Sequence, residues 1–387
     1  MKYLLLRCED YARPGGQLVS LLEGAKTEHL HQLAQAGAAG QLKPQAPDQG
    51  INRFALHRGL LGLRPDDPEA AASRCYATSA GLSLADGQTA WCCDLVTQQD
   101  GQIVDPLAGQ IPTKESAELL DTLNRTLGPD IGRWTLGWNS HHVLVTQPNV
   151  LQVDELQRLP APEQLTSQPW RRALPKSAAG RALQSLLEQA GEQLDNHPIN
   201  RVRTDLGENP ANFLWLWGGA ASIPQRSFTE RTGLSGALIS SNFPLRGFAE
   251  SLSLHWYTGP STLQDAPLVK LTQQLGRLAQ QHDLVYAHLR VDSRDPVERL
   301  CMMERLDQLV FKPLTELLPT LGSWRLLIVI DDQPTQSVPF VGIGTGLPQH
   351  PVVKLTAENL AGSPLVFQDG RGLFDWLTDS SSHQASS

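Results

Sequence analysis

The sequence predicts an α/β protein in which a mostly parallel sheet is flanked by helices and carries a smaller inserted α/β unit. Two observations predict it. Short apolar runs at 3–8, 236–240, 284–289 and 325–330 alternate with longer amphipathic stretches at 180–195, 268–281 and 297–318. Strands separated by long helices require crossover connections, hence parallel neighbours. Between about residues 72 and 152 the texture changes to short strand-like runs, 89–93 and 142–145, around one helical stretch at 116–127.

Taken in order, residues 3–8 form a short apolar run closed by the punctuation Glu9-Asp10-Tyr11-Ala12-Arg13-Pro14-Gly15-Gly16, as expected after a buried strand. Residues 27–37 read as a helix: Thr27 caps it, Leu30, Leu33 and Ala34 share a face, and Gly37 closes it. Residues 158–178, rich in Pro, Gln and Ser, read as a linker. The expected division is therefore 1–71 with 181–379 as one discontinuous domain, 72–180 as the inserted domain, and 380–387 as a polar tail. Gly342, Gly344 and Gly346 lack a phosphate-loop Lys-Ser/Thr and read as a surface turn.

The 387 residues suffice for roughly two domains. A net charge of −8, with 32 basic residues against 40 acidic and no basic stripe, argues against a nucleic-acid partner. No apolar run approaches membrane-spanning length, the N-terminus lacks a signal-peptide core, and a cytoplasmic location is expected. The 5 cysteines, Cys8, Cys75, Cys92, Cys93 and Cys301, never form a C-x-x-C pair, so neither a disulfide frame nor a zinc knuckle is indicated.

The stretch His197-Pro198-Ile199-Asn200, Arg203, Gly207, Asn209-Pro210-Ala211-Asn212 and Trp215-Leu216-Trp217-Gly218 resembles the archaeal-type cofactor-independent phosphoglycerate mutases, a metal-dependent branch of the alkaline phosphatase superfamily. The likeness continues through Arg231-Thr232-Gly233-Leu234-Ser235-Gly236, Arg246-Gly247-Phe248-Ala249, Asp283-Leu284-Val285-Tyr286-Ala287-His288, and Glu304 with Asp307. Upstream it reaches Leu60-Leu61-Gly62 and Asp94-Leu95-Val96-Thr97. The resemblance implies an alkaline-phosphatase-like sheet, a substrate-gripping insert, a phosphoserine route between hydroxyls of a glycerate, and two divalent cations, manganese or zinc.

Residue by residue, the resemblance places the serine nucleophile at Arg53, and no Ser, Thr or Cys occurs from Lys43 to Ala72. The first metal-binding Asp falls at Cys8, with Glu9 and Asp10 as shifted substitutes. Asp292 matches a second ligand, but Pro296 stands where its His belongs. Asp331 matches a third, with Asp332 in place of its His. No histidine occurs from Leu289 to Gln349. The carboxylates Asp10, Asp292, Asp331 and Asp332 read as remnants that hold no cofactor, or at most one weakly bound magnesium or calcium ion. Two family arginines fall at Cys92 and His142, while Arg203, Arg246, His197 and Asn200 remain as candidate anion contacts. Arg53, Phe54 and Pro296 are expected to fill part of the cleft. The reading is a phosphoglycerate-mutase-like protein that has lost phosphoryl transfer and binds a protein partner or a small anion. Its rival is an active mutase or phosphomonoesterase with a rearranged carboxylate site.

Overall fold

The computed structural model describes residues 1–10, 20–43, 53–64, 71–222, 226–293, 295–331 and 337–379; of Arg53 and Phe54 only the backbone is described. Thirteen strands are present among them: β1 Lys2–Asp10, β2 Ala38–Leu42, β3 Thr89–Gln99, β4 Gln102–Asp105, β5 Gly132–Trp138, β6 His141–Thr146, β7 Phe213–Ala221, β8 Gly236–Ser240, β9 His255–Thr258, β10 Leu284–Val291, β11 Trp324–Asp331, β12 Val338–Gly344 and β13 Val366–Phe367.

The larger sheet runs β13-β2-β12-β11-β1-β10-β8-β9. Its centre is parallel: β1 lies between β10 and β11, and β8 and β9 continue beyond β10 in the same sense. Only β12 is antiparallel to its neighbours. Both faces of the central strands are buried, which is why they read as continuous apolar runs. The pleat divides β1 between two cores: Leu4, Leu6 and Cys8 enter one, Tyr3 and Leu5 the other.

The second sheet contains β3, β4, β5, β6 and β7, with β3 paired to β4, β6 and β7. The helix Ala178–Asp195 packs Leu183, Leu186, Leu187, Ala190 and Leu194 into the core of this sheet. That core and sheet thus continue beyond residue 180, through β7 to residue 221. Residues 158–178 carry two short 3₁₀ turns, Pro162–Leu165 and Trp170–Ala173, with Leu165 and Trp170 buried.

The glycines expected in a surface turn are placed differently. Gly342 and Gly344 lie within β12, where a Cβ on Gly342 would stand 2.5 Å from the Trp376 ring. Glycine serves here for close packing of helix on sheet. The carboxyl ends of β1, β8, β10 and β11 meet at one edge of the parallel sheet, the position where open α/β sheets place their ligands.

Candidate active site

At that edge the buried face changes from apolar to charged. After Tyr3 and Leu5, the same face of β1 presents Arg7 and Glu9. Register sets Arg7 beside His288, and Glu9 between Arg290 and Asp331. Ser240, at the end of β8, completes the row with a hydroxyl 2.9 Å from His288 Nδ1.

His288 Nε2 lies 2.7 Å from Glu9 Oε2, and Ser240 Oγ accepts from the Asn242 amide at 3.0 Å. The pattern assigns a neutral imidazole that donates from Nε2 to Glu9 and accepts the Ser240 proton at Nδ1. Burial, the largest influence, agrees by lowering the His288 pKa. His57 stands edge-on, its ring centre 4.6 Å from that of His288, with Nδ1 2.5 Å from the Tyr286 hydroxyl. Burial also holds its pKa well below the ordinary value, with Arg7 adding to the effect.

Arg7 is fully buried, with its guanidinium 2.6 Å from Asp331 and 3.7 Å from Glu9. Burial works against its charge, yet the two carboxylates outweigh that and raise its pKa.

One donor atom each from Glu9, His57 and His288 lies within 4.8 Å of the others. A carboxylate with two neutral imidazoles is a donor set for zinc or manganese, and the residues fit such an ion once the His288 proton sits on Nδ1, donated to Ser240 Oγ, with Nε2 free to ligate. This corrects the expectation of no cofactor, or at most a weak magnesium or calcium ion on the aspartates. Two nitrogen donors come together here with a carboxylate.

The aspartate remnants do not join that cluster. Asp10, on the opposite face of β1, is buried against Arg299, whose Nε lies 3.0 Å away. Asp331 is held by Arg7, and Asp292 by Arg290 at 3.0 Å. Cys8 is a core residue whose thiol burial pushes up to about 12. Asp332 and the side chains of Arg53 and Phe54 lie outside the described residues. Pro296 opens the helix Pro296–Leu306 and does not line the cleft.

Above Glu9 and His57 opens a cleft between the two sheets, about 190 Å³ in volume, lined also by Tyr76, Trp138, His141, Trp217, Phe243 and Arg290. One wall is built around Asp94. Its carboxylate oxygens lie 2.8 Å from His141 Nδ1 and 2.6 Å from Trp217 Nε1. The Tyr76 ring meets both edge-on, with centres 6.0 Å and 6.3 Å away. Burial opposes a charge on His141, but Asp94 prevails and raises its pKa.

The candidate anion contacts lie elsewhere, and none of the four lines this cleft. Arg203 pairs with Glu115 at 2.8 Å and Glu208 at 3.1 Å, and binds the Asn209 carbonyl. Asn200 ties Leu194 and Ala211 backbone groups together. His197 caps the helix Pro198–Asp205. Arg246 pairs along its own helix with Glu250 at 2.9 Å. These residues hold the second unit and a helix surface in place. At the two family arginine positions, Cys92 is buried, and burial lowers His142 to about 3.

Two solved structures share this architecture over almost the whole chain. A cofactor-independent phosphoglycerate mutase from Thermoplasma acidophilum covers 97% of this chain and 99% of its own, with TM-score 0.57 and 22% identity. A protein from Pyrococcus horikoshii covers 97% and 96%, with TM-score 0.67 and 20% identity. The fold is therefore the mixed α/β fold of cofactor-independent phosphoglycerate mutases. In sequence, the model for 2,3-bisphosphoglycerate-independent phosphoglycerate mutase matches residues 34–200. A protein of that name from Methanosarcina mazei is 26% identical over 326 residues, 82% of this chain and 81% of its own. A probable one from Geobacter sulfurreducens is 26% identical over 406, covering 98% and 100%. The chain is thus similar to proteins of that name over most of its length, at 26% identity.

Proposed function

We propose that this protein is a metal-dependent phosphomonoester enzyme, with a divalent cation held by Glu9, His57 and His288 at the floor of the inter-sheet cleft. The observation that carries this reading is the buried carboxylate and two neutral imidazoles within 4.8 Å of one another, at the ligand-binding edge of the sheet. Bound there, the ion supplies Lewis-acid polarisation of a phosphoryl oxygen. Ser240 and Tyr286 orient the two histidines, and His141 and Arg290, paired with Asp94 and Asp292, line the cleft as hydrogen-bond donors for a phosphate.

With Arg53 at the place of the family nucleophile, the acceptor we favour is water. The water oxygen bonds to phosphorus, the ester P–O bond breaks, and one water proton ends on the departing alcohol oxygen. The names of the relatives favour the alternative acceptor, a second hydroxyl of phosphoglycerate. The replacement of family arginines by Cys92 and His142 favours instead a binding role for a protein partner or small anion, without turnover.

The test is release of inorganic phosphate from p-nitrophenyl phosphate and 3-phosphoglycerate, alongside formation of 2-phosphoglycerate, with added manganese or zinc and with chelator. Metal-stimulated phosphate release supports the reading. 2-Phosphoglycerate without phosphate release transfers it to the mutase form, and no turnover with any metal leaves the binding role.

A further inference from the structure

We propose that the cleft is shaped for a phosphomonoester whose alcohol carries a flat ring, an aryl or nucleoside monophosphate, in place of glycerate; this rests on the phosphomonoester reading above. Glycerate offers a carboxylate and hydroxyls, which call for planar guanidinium partners. Among the described residues that line the cleft, the guanidinium is that of Arg290, already paired with Asp292.

The cleft instead presents ring faces and edges. Trp138 stands at its mouth 57% exposed, a large aromatic surface left in water at the end of β5. Tyr76 and Trp217 line it together with His141, the register partner of Trp138, and Phe243 joins them from the helix Phe243–Ser251. This wall is held before any ligand arrives, because the buried Asp94 carboxylate fixes both the Trp217 indole and the His141 imidazole. Rigid aromatic surfaces cost little entropy on binding.

At about 190 Å³ the cleft has room for one such ring, since an enclosed apolar cavity of about 150 Å³ accommodates benzene. Donors border the same cleft, together with the carboxylates Glu9 and Glu163. His141 and Arg290 border the rings near Glu9 and His57, so a ring among the aromatics places an attached phosphate beside the candidate metal ligands.

The experiment measures binding by the whole protein, free of turnover, by calorimetry in the presence of chelator. The ligands are phenyl phosphate, adenosine 5′-monophosphate, 3-phosphoglycerate and inorganic phosphate. Phenyl phosphate or adenosine 5′-monophosphate is expected to bind about tenfold or more tightly than 3-phosphoglycerate. Whichever of the two binds better distinguishes an aryl from a nucleoside source. Trp138→Ala should remove most of that preference, leave inorganic phosphate unchanged, and retain the melting temperature because the side chain is exposed. Equal or tighter binding of 3-phosphoglycerate, or no effect of Trp138→Ala, overturns the ring proposal alone. Failure of every phosphate ligand to bind, with or without manganese or zinc, overturns the phosphomonoester reading as well.

Discussion

His288 reaches across to Glu9 one pleat repeat further along the neighbouring strand: its register partner is Arg7, yet its Nε2 lies 2.7 Å from Glu9 Oε2. The contact joins the buried guanidinium of Arg7, 3.7 Å from Glu9, to the cluster that fits a divalent cation. It also makes Glu9 the residue whose charge the site most depends on.

Glu9→Gln preserves shape and removes that charge. Zinc or manganese affinity, measured by equilibrium dialysis, is expected to fall by about 100-fold or more, since even outer-shell changes at such sites cost 10–100-fold. Unchanged affinity would remove Glu9 from the ligand set.

Asp331→Ala removes the nearer of the two carboxylates around the buried Arg7 and leaves Glu9 at 3.7 Å. Breaking a buried pair from one side costs roughly 3–5 kcal/mol, and the remaining carboxylate places this change toward the lower end. Urea unfolding measures it; a loss below about 1 kcal/mol would mean that the pair contributes no more than a surface one.

Acid should destabilise the fold through its buried neutral histidines. His142, lowered to about 3, gains its proton in the unfolded chain below the ordinary value near 6.5. Its contribution is complete above about 6.5 and is lost as pH falls toward 3, at about 1.4 kcal/mol per pH unit. His57 and His288 are displaced in the same direction. His141 has the opposite sign: raised by Asp94, it contributes below its unfolded value and loses that contribution as pH rises through its folded one. Unfolding free energies at pH 7 and pH 4.5 should show a net loss at the lower pH, reduced in His142→Asn.

Gly342→Ala forces a Cβ to within 2.5 Å of the Trp376 ring. A cost of about 1–3 kcal/mol is expected from overpacking. A neutral result would show that the ring moves aside freely.

The parallel strands were legible because β1, β10 and β11 are buried on both faces and therefore apolar nearly throughout. β12 was not, since Gly342 and Gly344 mimic a loop when the close approach of Trp376 cannot be seen. Within the site, Glu9 was recognisable only as a shifted substitute for a ligand. His288 lies one residue before the histidine-free interval that suggested a lost metal site. His57 meets Tyr286 across 229 positions of sequence. The available signal was the pleat: Arg7 and Glu9 occupy the same parity as Tyr3 and Leu5, as His288 does with Tyr286, so charged groups had to converge on one buried face. Arg203 and Asn200 misled in the other direction, because residues that fasten a fold are as specific in pattern as residues that bind a ligand.

The measurement that bears most directly on this account is metal-dependent phosphate release from p-nitrophenyl phosphate by the purified protein, compared with Glu9→Gln and His57→Ala variants that retain the parent's circular dichroism. Turnover that manganese or zinc restores after chelation, and that both variants lose by at least about 100-fold, is the expected result. Turnover indifferent to chelator and to both substitutions, or none from the folded, metal-loaded protein, would contradict it.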